Sequence, residues 1–565
     1  MRYLITAALP YINNVPHLGH MVGSHLPADI FHRYCRLKGH DSLFVGGSDE
    51  YGTPVLIAAN KCGVSPKKVT DSLHPIHKKI YEWFNISYDN YSRTSSEIHA
   101  VTVQGFFEQL KANGFICESD VEMYYCENEN LYLADRYVEG TCPKCKYEMS
   151  TADQCENCGA MPNVGDISLP RCALCGGKAS IKKSKHLFFQ LEKMRKQLKE
   201  WVDTKKEIWG DAVTATANKW LTEGLQDRCI TRDLPWGVKI PVTGYENKVF
   251  YVWFDALIGY ISFTKQINEK YFCEYWQDAN SRIVHFLGKD NIPFHTVFWP
   301  AMCMAHENIN LPYDVAGYQY LTFEGKKFSK SKQVGVFCYS LMNSDIDVDT
   351  LRSYLVQILP EKKEADFKWE EYKVLINSEL IGKFGNFFNR TLNMINSYFG
   401  GEINLKSLSL NDADSAFVNE CADKIRLITA LMEKIELREA YREIISIATA
   451  ANKYLDTSAP WKLIKSNRGE TEKILYLALN VAKALAILSF PFTPKSMLKI
   501  WKEQLSIADE LDQKGAWSML DTVLSLPLQH KVSKPSPLYK IIEDSDLERY
   551  RNIGTADYDL ASLIK

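Results

Sequence analysis

The spacing of apolar positions changes along the chain and divides it into regions. In residues 1–115, short apolar runs such as 4–9 and 43–45 alternate with longer segments whose apolar residues recur every three or four positions. Short runs are typical of buried strands, and the longer period is typical of helices. This alternation predicts a parallel α/β sheet with helices between its strands.

Two helix starts in this region carry capping signals. Ser65 stands before Pro66 and can cap a helix that we expect to end near residue 84. Thr94 lies three residues before Glu97, which is the spacing of a capping box. Both signals support helices between the predicted strands.

The α/β pattern stops near residue 116 and returns later. Residues 116–225 are rich in cysteine and turn residues, and strand-like apolar runs resume at 248–253 and 283–287. We interpret residues 1–115 and 226–318 as two halves of one sheet, split by the insertion.

A helical pattern begins after residue 378. Its apolar period predicts an α-helical domain over 379–535, followed by a tail over 536–565. The most apolar stretch, 474–492, contains Asn480 and Lys483. We therefore expect a buried helix there rather than a membrane span.

Composition narrows the class of protein. A chain of 565 residues is too long for one core, so we expect three or four domains. The net charge of −2 requires basic residues to cluster locally if nucleic acid is a partner.

The N-terminus lacks the features of a signal peptide. We expect a cytoplasmic protein whose fifteen cysteines are thiols and metal ligands rather than disulfides.

Two short motifs indicate nucleotide chemistry. His17, Gly19 and His20 follow the first predicted strand, where a helix N-terminus can hold a phosphate and two imidazoles can donate hydrogen bonds. Lys327 and Lys330 belong to a lysine–serine run that supplies positive charge on a loop. Each motif alone is more often an ordinary surface feature. Together they predict one site for a nucleoside triphosphate.

Cysteine spacing predicts a metal site in the insertion. Cys142, Cys145, Cys155 and Cys158 form two CxxC pairs, which is typical of tetrahedral zinc. Protein fills all four ligand positions, so we expect this zinc to be structural. A third CxxC pair follows without a partner pair.

The chain resembles a known family in motifs that run from about residue 3 to 545. The histidine and lysine motifs look like the signature pair of the class I aminoacyl-tRNA synthetases. Leu257 stands where some relatives have proline, and Phe328 where the usual loop has methionine. The stretches that most closely resemble the methionyl-tRNA synthetases are 8–11 (Ala-Leu-Pro-Tyr), 251–256 (Tyr-Val-Trp-Phe-Asp-Ala), 288–291 (Gly-Lys-Asp-Asn) and 294–300 (Phe-His-Thr-Val-Phe-Trp-Pro).

The resemblance implies an α/β fold with a defined order of domains. A class I synthetase-type Rossmann catalytic domain (1–115 and 226–318) is split by a connective insertion with zinc knuckles (116–225). A region with the signature lysine loop and contacts to the tRNA stem follows (319–378). An α-helical anticodon-binding bundle (379–535) and a tail that packs back on the core (536–565) complete the chain.

The resemblance also implies a two-step reaction. Methionine carboxylate attacks the α-phosphate of ATP, giving methionyl-adenylate and pyrophosphate. The methionyl group then passes to the terminal ribose of tRNA(Met). His17 and His20 would contact the ATP phosphates. Lys330 would contact the departing pyrophosphate, and Lys327 is a second candidate for that role.

Further positions match the family's nucleotide site. Gly19 allows the nucleotide to approach the backbone closely. Gly288 and Asp290 match positions near the ribose. Magnesium is expected with ATP.

A pocket for methionine follows from the same resemblance. Asp49 matches the acid that holds the ammonium group. Aromatic walls suit the polarizable sulfur of methionine, although each aromatic residue taken alone is more often a core residue. The other matching positions are Leu9, Tyr11, Trp253, Ala256, Tyr260, His295 and Trp299.

A second metal site is left open. In relatives with two zinc knuckles, a further CxxC pair closes an outer site, but residues 126–129 here read Cys-Glu-Asn-Glu. The inner cysteine pairs predict one zinc per chain, and a second remains an alternative. A second zinc would be held by Cys126, Cys172 and Cys175, with Glu129 as a fourth ligand.

The helical region is expected to read the anticodon. Asn386 and Arg390 lie four residues apart and match family positions for base contacts. Trp461 follows Ala459 and Pro460, where a break could expose an indole for stacking on an unpaired base. The implied partners are tRNA(Met), ATP and methionine, with no membrane. No further oligomerisation domain follows, so we expect a monomer.

Two other classes of protein explain part of the pattern. Class I synthetases for leucine, isoleucine or valine usually carry a larger editing insertion, and the cysteine enzyme places zinc in its amino-acid pocket. A non-catalytic zinc-knuckle protein that binds nucleic acid would explain the cysteines. It would leave the histidine and lysine motifs without a purpose.

Overall fold

The computed structural model of the chain describes residues 1–133, 137–152, 155, 157–158, 162, 164–328, 334–554 and 559–564. These residues form an α/β domain with an insertion, a helical bundle, and a C-terminal segment that returns to the α/β domain. None of the fifteen cysteines, all of which are among the described residues, forms a disulfide.

The first part of the chain alternates strands and helices, as predicted. The Ser65 hydroxyl caps its helix by accepting a hydrogen bond from the Lys68 backbone N–H at 3.2 Å. The capping box at Thr94 is wrong, because its hydroxyl instead accepts the Glu50 N–H at 2.9 Å. A π-helical turn, Met21–His25, joins the first two helices. The elements are β1 (Arg2–Ala7), α1 (Leu18–His20), α2 (Leu26–Leu37), β2 (Asp41–Ser48), α3 (Thr53–Cys62), α4 (Pro66–Trp83), β3 (Asn90–Arg93) and α5 (Glu97–Ala112).

The described residues of the insertion form two small antiparallel sheets. One is built on two long strands of eleven residues each, which pair along their whole length. The other has three short strands and lies among the cysteine pairs. The elements are β4 (Ile116–Cys126), β5 (Leu131–Tyr132), β6 (Val138–Thr141), β7 (Ser150–Thr151), β8 (Ser168–Cys172), β9 (Ala179–Phe189), α6 (Arg195–Asp203), α7 (Asp211–Glu223) and β10 (Arg228–Cys229).

The second half of the sheet joins the first, which confirms the split-sheet prediction. β1 pairs in parallel with β2 on one side and with Ser281–Gly288 on the other. The predicted strand at 248–253 is wrong except at Val249 and Phe250, because Val252 begins a buried helix. A short apolar run fits a buried strand and a buried helix equally well. The elements are β11 (Thr231–Arg232), β12 (Val249–Phe250), α8 (Val252–Ile267), α9 (Glu269–Tyr271), β13 (Ser281–Gly288), α10 (Trp299–His306) and β14 (Asp314–Tyr318).

In the described residues, the central sheet has the order β14–β13–β1–β2–β3, with all neighbouring strands parallel. A short region after β14 carries the lysine hairpin and leads to the bundle. Its elements are β15 (Leu321–Phe323), β16 (Lys326–Lys327), α11 (Cys338–Met342), α12 (Val348–Gln357), β17 (Ala365–Phe367) and α13 (Trp369–Leu375).

The C-terminal half is helical, as predicted. The stretch that contains Asn480 and Lys483 is a buried helix. No helix in the described part of the chain is long and apolar enough to cross a membrane. Ile564, near the C-terminus, is buried against α3 and α4. The elements are α14 (Asn386–Phe399), β18 (Glu402–Asn404), α15 (Asp412–Glu433), α16 (Leu437–Ser458), α17 (Pro460–Leu463), α18 (Arg468–Ser489), α19 (Pro494–Lys499), β19 (Gln529–Lys531), α20 (Asp544–Gly554) and α21 (Leu560–Ile564).

A fully buried arginine on α12 joins the α/β domain to the helical bundle. The Arg352 guanidinium donates to Asp29 Oδ2 at 2.7 Å and to the Phe84 carbonyl at 3.1 Å, both in the α/β domain. It also donates to the carbonyls of Pro491 and Phe492 in the bundle, at 2.9 and 2.8 Å. One side chain therefore donates hydrogen bonds to buried acceptors in both the α/β domain and the helical bundle.

Asp29 stays ionised although it is fully buried. Burial opposes its charge, but Arg33, Arg352 and two hydrogen bonds from Ser87 outweigh burial and lower the pKa of Asp29 to about 2. Because the unfolded pKa is higher, the contribution of Asp29 to stability is full above pH ~4. It is lost as the pH falls toward 2.

Replacing Arg352 should destabilise the fold strongly. Arg352→Ala leaves the buried Asp29 charge and several carbonyls without this partner, which costs on the order of 3–5 kcal/mol in unfolding free energy. Urea unfolding at pH 7 measures the loss. Arg426→Ala is the matched control, because Arg426 pairs with Asp423 on the exposed surface and its loss should cost less than ~1 kcal/mol. Equal losses in the two variants would contradict a special role for Arg352.

Candidate active site and metal centres

A cavity of about 430 Å³ lies at the carboxyl ends of β1 and β13. Ligands of open parallel sheets bind at this edge. Six residues predicted from the sequence line it: Leu9, His17, Gly19, His20, Gly288 and Asp290. Lining residues that the sequence analysis missed include Ser24, His25, Asn291, Gln319 and Tyr320.

Backbone N–H groups at the start of α1 fix the tautomers of the two histidines. His17 Nδ1 accepts the Gly19 N–H at 3.1 Å, and His20 Nδ1 accepts the His17 N–H at 3.2 Å. A neutral imidazole whose Nδ1 accepts must carry its proton on Nε2. Both rings therefore have an Nε2–H donor, the group that a phosphate oxygen requires. A Cβ at position 19 would lie 2.9 Å from the His17 ring, so the arrangement requires glycine.

Asp290 is held by a tyrosine that the sequence analysis missed. The Tyr320 hydroxyl donates to the Asp290 carboxylate, with oxygen distances of 2.5 and 2.6 Å. Burial and the Asp290 charge both raise the pKa of Tyr320, so it remains a donor. Lys289 Nζ lies 3.8 Å from the centre of the Tyr320 ring. Tyr320 comes shortly after β14, at the same sheet edge. That position in the sequence could have identified it as a candidate site residue.

The lysine motif begins on a tight hairpin. The Gly325 N–H donates to both oxygens of Asp366, at 2.9 and 3.1 Å, and the Thr322 hydroxyl donates to Asp366 Oδ1 at 2.6 Å. The φ of 77° at Gly325 favours glycine. The backbone of Lys327 ends the hairpin in β16. Lys330 and the side chain of Lys327 lie outside the described part of the chain.

Residues predicted for methionine lie where the loops after β1 and β2 meet. Tyr11 and Asp49 form a backbone bridge, and the Asp49 N–H donates to the Pro10 carbonyl at 3.0 Å. The Tyr11 ring meets Trp253 edge to face, with centroids 6.2 Å apart. Trp253 stacks on Phe294, with centroids 3.9 Å apart. The predicted ammonium-binding acid and aromatic wall are therefore neighbours.

Two buried carboxyls make this region favourable for a cation. Burial raises the pKa of Asp49 well above its usual range. Burial, together with the nearby Asp49 charge, also raises the pKa of Asp255. A bound ammonium group would stabilise the charged form of both side chains.

Tyr260 and His295 form a neutral buried pair. His295 Nδ1 lies 3.0 Å from the Asn291 carbonyl, so Nδ1 carries the proton and Nε2 accepts the Tyr260 hydroxyl at 2.9 Å. Burial lowers the pKa of His295 to about 4, so the ring is neutral at pH 7. Ala256 and Trp299 were also predicted for this pocket. Trp299 is buried in the core cluster that contains Tyr260, and Ala256 is buried on α8, one turn before Tyr260.

The four predicted inner cysteines come together in the insertion. Their sulfur atoms all lie within 4.8 Å of one another. Cys142 and Cys158 are 3.8 Å apart at Sγ, and Cys145 and Cys155 are 3.6 Å apart. Sulfur atoms ~3.8 Å apart match tetrahedral zinc with bonds of about 2.3 Å. Burial opposes ionisation of Cys155, but backbone and side-chain hydrogen bonds outweigh it and lower its pKa to about 6.

A second, smaller cluster contains Cys126, Cys172 and Cys175, again with sulfur atoms within 4.8 Å. The expectation that Glu129 joins it is wrong for the described structure, because no carboxylate belongs to this group. Glu129 is exposed in the turn between β4 and β5. The Asn128 amide nitrogen instead lies 3.8 Å from Cys175 Sγ.

The three residues predicted to bind the anticodon form one exposed group in the bundle. Arg390 lies over Trp461, with 5.3 Å between the guanidinium carbon and the ring centre, and both line a cavity of about 390 Å³. Asn386 and Arg390 both donate to Asn452 Oδ1 at 3.3 Å, and Arg390 donates to Asp456 at 2.7 Å. Asn452 and Asp456, on α16, were missed by the sequence analysis.

The fold is that of a class I aminoacyl-tRNA synthetase. A family model described as tRNA synthetases class I (M) matches residues 3–392. A second, described as the anticodon binding domain of methionyl tRNA ligase, matches residues 406–556. The chain belongs to the methionyl-tRNA synthetase family, which confirms the resemblance seen in the motifs.

Curated relatives match nearly the whole chain. The methionine–tRNA ligase of Christiangramia forsetii is 40% identical over 554 residues, which cover 97% of this chain and 80% of the relative. That of Aeropyrum pernix is 38% identical over 559 residues, covering 98% and 96%. A crystal structure of Mycobacterium tuberculosis methionyl-tRNA synthetase bound by methionyl-adenylate has the same fold. Its TM-score is 0.79 at 22% identity, covering 96% of this chain and all of the other.

Proposed function

We propose that this chain is a methionine–tRNA ligase that works in two steps. It joins methionine to ATP, giving methionyl-adenylate and pyrophosphate, and then transfers the methionyl group to the 3′ end of tRNA(Met). One observation supports this most. The cavity with His17, His20 and Asp290 lies at the same sheet edge as the neighbouring Asp49 and Tyr11.

Activation of methionine requires positioning and charge stabilisation rather than a protein nucleophile. A carboxylate oxygen of methionine forms the bond to the α-phosphorus, and pyrophosphate leaves with the electron pair of the broken P–O bond. The Nε2–H groups of His17 and His20 donate to phosphate oxygens as charge develops. Lys330, with Lys327 as a second cation, holds the pyrophosphate.

The remaining nucleotide contacts follow from the cavity. Gly19 and Gly288 let the nucleotide approach the backbone, and Asp290, held by Tyr320, accepts hydrogen bonds from the ribose. Magnesium enters with ATP as part of the substrate and neutralises phosphate charge.

Methionine recognition rests on the buried acid and the aromatic wall. The Asp49 carboxylate pairs with the ammonium group, which compensates the cost of its burial. Leu9, Tyr11 and Trp253 enclose the side chain. The neutral Tyr260–His295 pair closes the pocket without adding charge, and Ala256 and Trp299 support it from the core.

The other parts of the chain have separate roles in this proposal. Residues 1–115 and 226–318 are catalytic, 116–225 is the connective insertion, and 319–378 carries the lysine loop. Residues 379–535 bind the anticodon through Asn386, Arg390 and Trp461, and 536–565 packs back on the core. The protein acts as a cytoplasmic monomer.

Zinc is proposed as a structural metal in the insertion. Cys142, Cys145, Cys155 and Cys158 fit one ion, because their sulfur spacings match tetrahedral coordination. The ion would cross-link a segment with little core of its own. A second ion would use the cluster of Cys126, Cys172 and Cys175.

The substrate assignment is tested by ATP–pyrophosphate exchange measured with each amino acid separately. We expect exchange with methionine only. Asp49→Asn should raise KM for methionine at least about thirtyfold, since a buried charge pair is lost, while KM for ATP changes little. Exchange with leucine, isoleucine, valine or cysteine instead would reassign the enzyme, and no exchange at all would favour a non-catalytic RNA binder.

The anticodon site is tested by separating the two steps. Trp461→Ala should lower kcat/KM for tRNA charging about 5- to 100-fold, because a stacking surface for a base is lost. Methionine-dependent exchange should stay within about twofold of the unchanged protein. Leu427→Ala, an exposed apolar residue of the same bundle, is the matched control and should change neither. Equal loss of both activities in the Trp461 variant would defeat the anticodon role.

Metal content is tested by elemental analysis of the dialysed protein. We expect Cys145→Ser to lose one zinc per chain and Cys273→Ser, an exposed cysteine outside both clusters, to lose none. Two zinc ions in the unchanged protein, one of them lost in Cys172→Ser, would identify the outer site as filled. Unchanged zinc content in Cys145→Ser would contradict the inner site.

A further inference from the structure

The imidazole of His17 is packed among aromatic rings. Phe328, from the start of the lysine motif, stacks on it with ring centroids 4.7 Å apart and an interplanar angle of 21°. His20 lies against it at 3.9 Å, and Phe337 meets it edge to face at 6.2 Å. Phe328 also lines the 430 Å³ cavity. The His17 ring, from the histidine motif, is therefore in contact with Phe328 from the lysine motif.

Glycines provide the space for this stack. A Cβ at Gly335 would lie 2.2 Å from Phe328 Cδ1, and the φ of 138° at Gly335 is one that other residues rarely adopt. A Cβ at Gly19 would lie 2.9 Å from the His17 ring and 3.8 Å from Phe328 Cδ2. The space for the stacked rings therefore depends on two glycines, and the Phe323 ring completes the surroundings of Phe328, with centroids 6.3 Å apart.

The side chain at position 328 departs from the usual motif. A methionine there would have three rotatable bonds and no ring, whereas phenylalanine has two and a flat face. A flat face restricts rotation of the imidazole against which it stacks. Phe328 is therefore suited to holding the His17 ring in one orientation.

We propose that Phe328 is a positioning residue for His17. Stacking keeps the imidazole in the plane where the Gly19 N–H binds Nδ1, so that the Nε2–H donor points to a fixed place in the cavity. The proposal rests on the proposed function, in which that donor binds an ATP phosphate. Its effect falls on kcat, because the donor matters most when charge develops on the phosphate.

The ring of Phe328 could instead stack on the base of the nucleotide. That role would be uniform binding, which changes KM for ATP and leaves kcat unaltered. The stack on His17 favours the positioning role, and the kinetic split distinguishes the two.

The first test compares three replacements of Phe328 by methionine-dependent ATP–pyrophosphate exchange. We expect Phe328→Tyr to keep kcat within about twofold, because the ring is retained. Phe328→Leu and Phe328→Ala should lower kcat about three- to tenfold, the range of one aromatic contact, with KM for methionine unchanged. Phe399→Ala removes a partly buried ring of the bundle that lies under Arg468, and should leave kcat unchanged. Circular dichroism and melting temperature confirm that each variant folds.

The second test asks whether Phe328 acts through His17. In a His17→Asn background, Phe328→Ala should lower kcat no further, because the positioned ring is already gone. Equal losses in both backgrounds would overturn the inference, as would a raised KM for ATP at unchanged kcat. Absence of exchange with methionine in the unchanged protein would instead defeat the proposed function, so the two failures are distinguishable.

Discussion

The buried ion pair between Asp29 and Arg352 fixes the relative placement of the parts of the molecule. Asp29 lies on α2, which continues the helix that begins with His17 and His20. Arg352 lies on α12, between the lysine hairpin and the bundle, and also donates to the carbonyls of Pro491 and Phe492, just after α18. Charges of this kind are tolerated in a protein interior only when every acceptor and donor is matched. This ion pair therefore joins the helix that begins at His17, the region of the lysine motif and the bundle at one buried point.

The chemistry of the site follows from burial as much as from residue identity. Burial keeps the His295 imidazole neutral. It also opposes the charge of the Asp49 carboxylate, which a bound cation would stabilise. The histidines of the motif are controlled differently, because the backbone N–H groups of Gly19 and His17 donate to Nδ1 of His17 and His20 and select the Nε2–H tautomer of each ring. The site thus has imidazole N–H donors on one side and a buried carboxyl on the other. Under the proposed function, the first would bind phosphate and the second the ammonium group of an aminoacyl-adenylate.

Local sequence signals predicted much of this arrangement. The motif at His17 lies at a strand end, and paired CxxC spacing predicts a four-sulfur cluster, because both depend on neighbours within a few residues. Long-range partners gave no such signal. The spacing of Thr94 fits a capping box, but its hydroxyl accepts the Glu50 N–H from another loop. The apolar run at Val252 predicts a strand, but Val252 begins a buried helix. Nothing near Arg352 in the sequence indicates that its side chain is buried and joins two parts of the fold.

Charging of tRNA tests the central claim most directly, because it requires activation and transfer by one chain. Labelled methionine, ATP and tRNA(Met) are incubated with the protein, and acid-precipitable label is measured. The account predicts methionyl-tRNA with the initiating or elongating methionine tRNA, and none after periodate oxidation of its terminal ribose. Label on tRNA from another amino acid, or none with methionine, would contradict it.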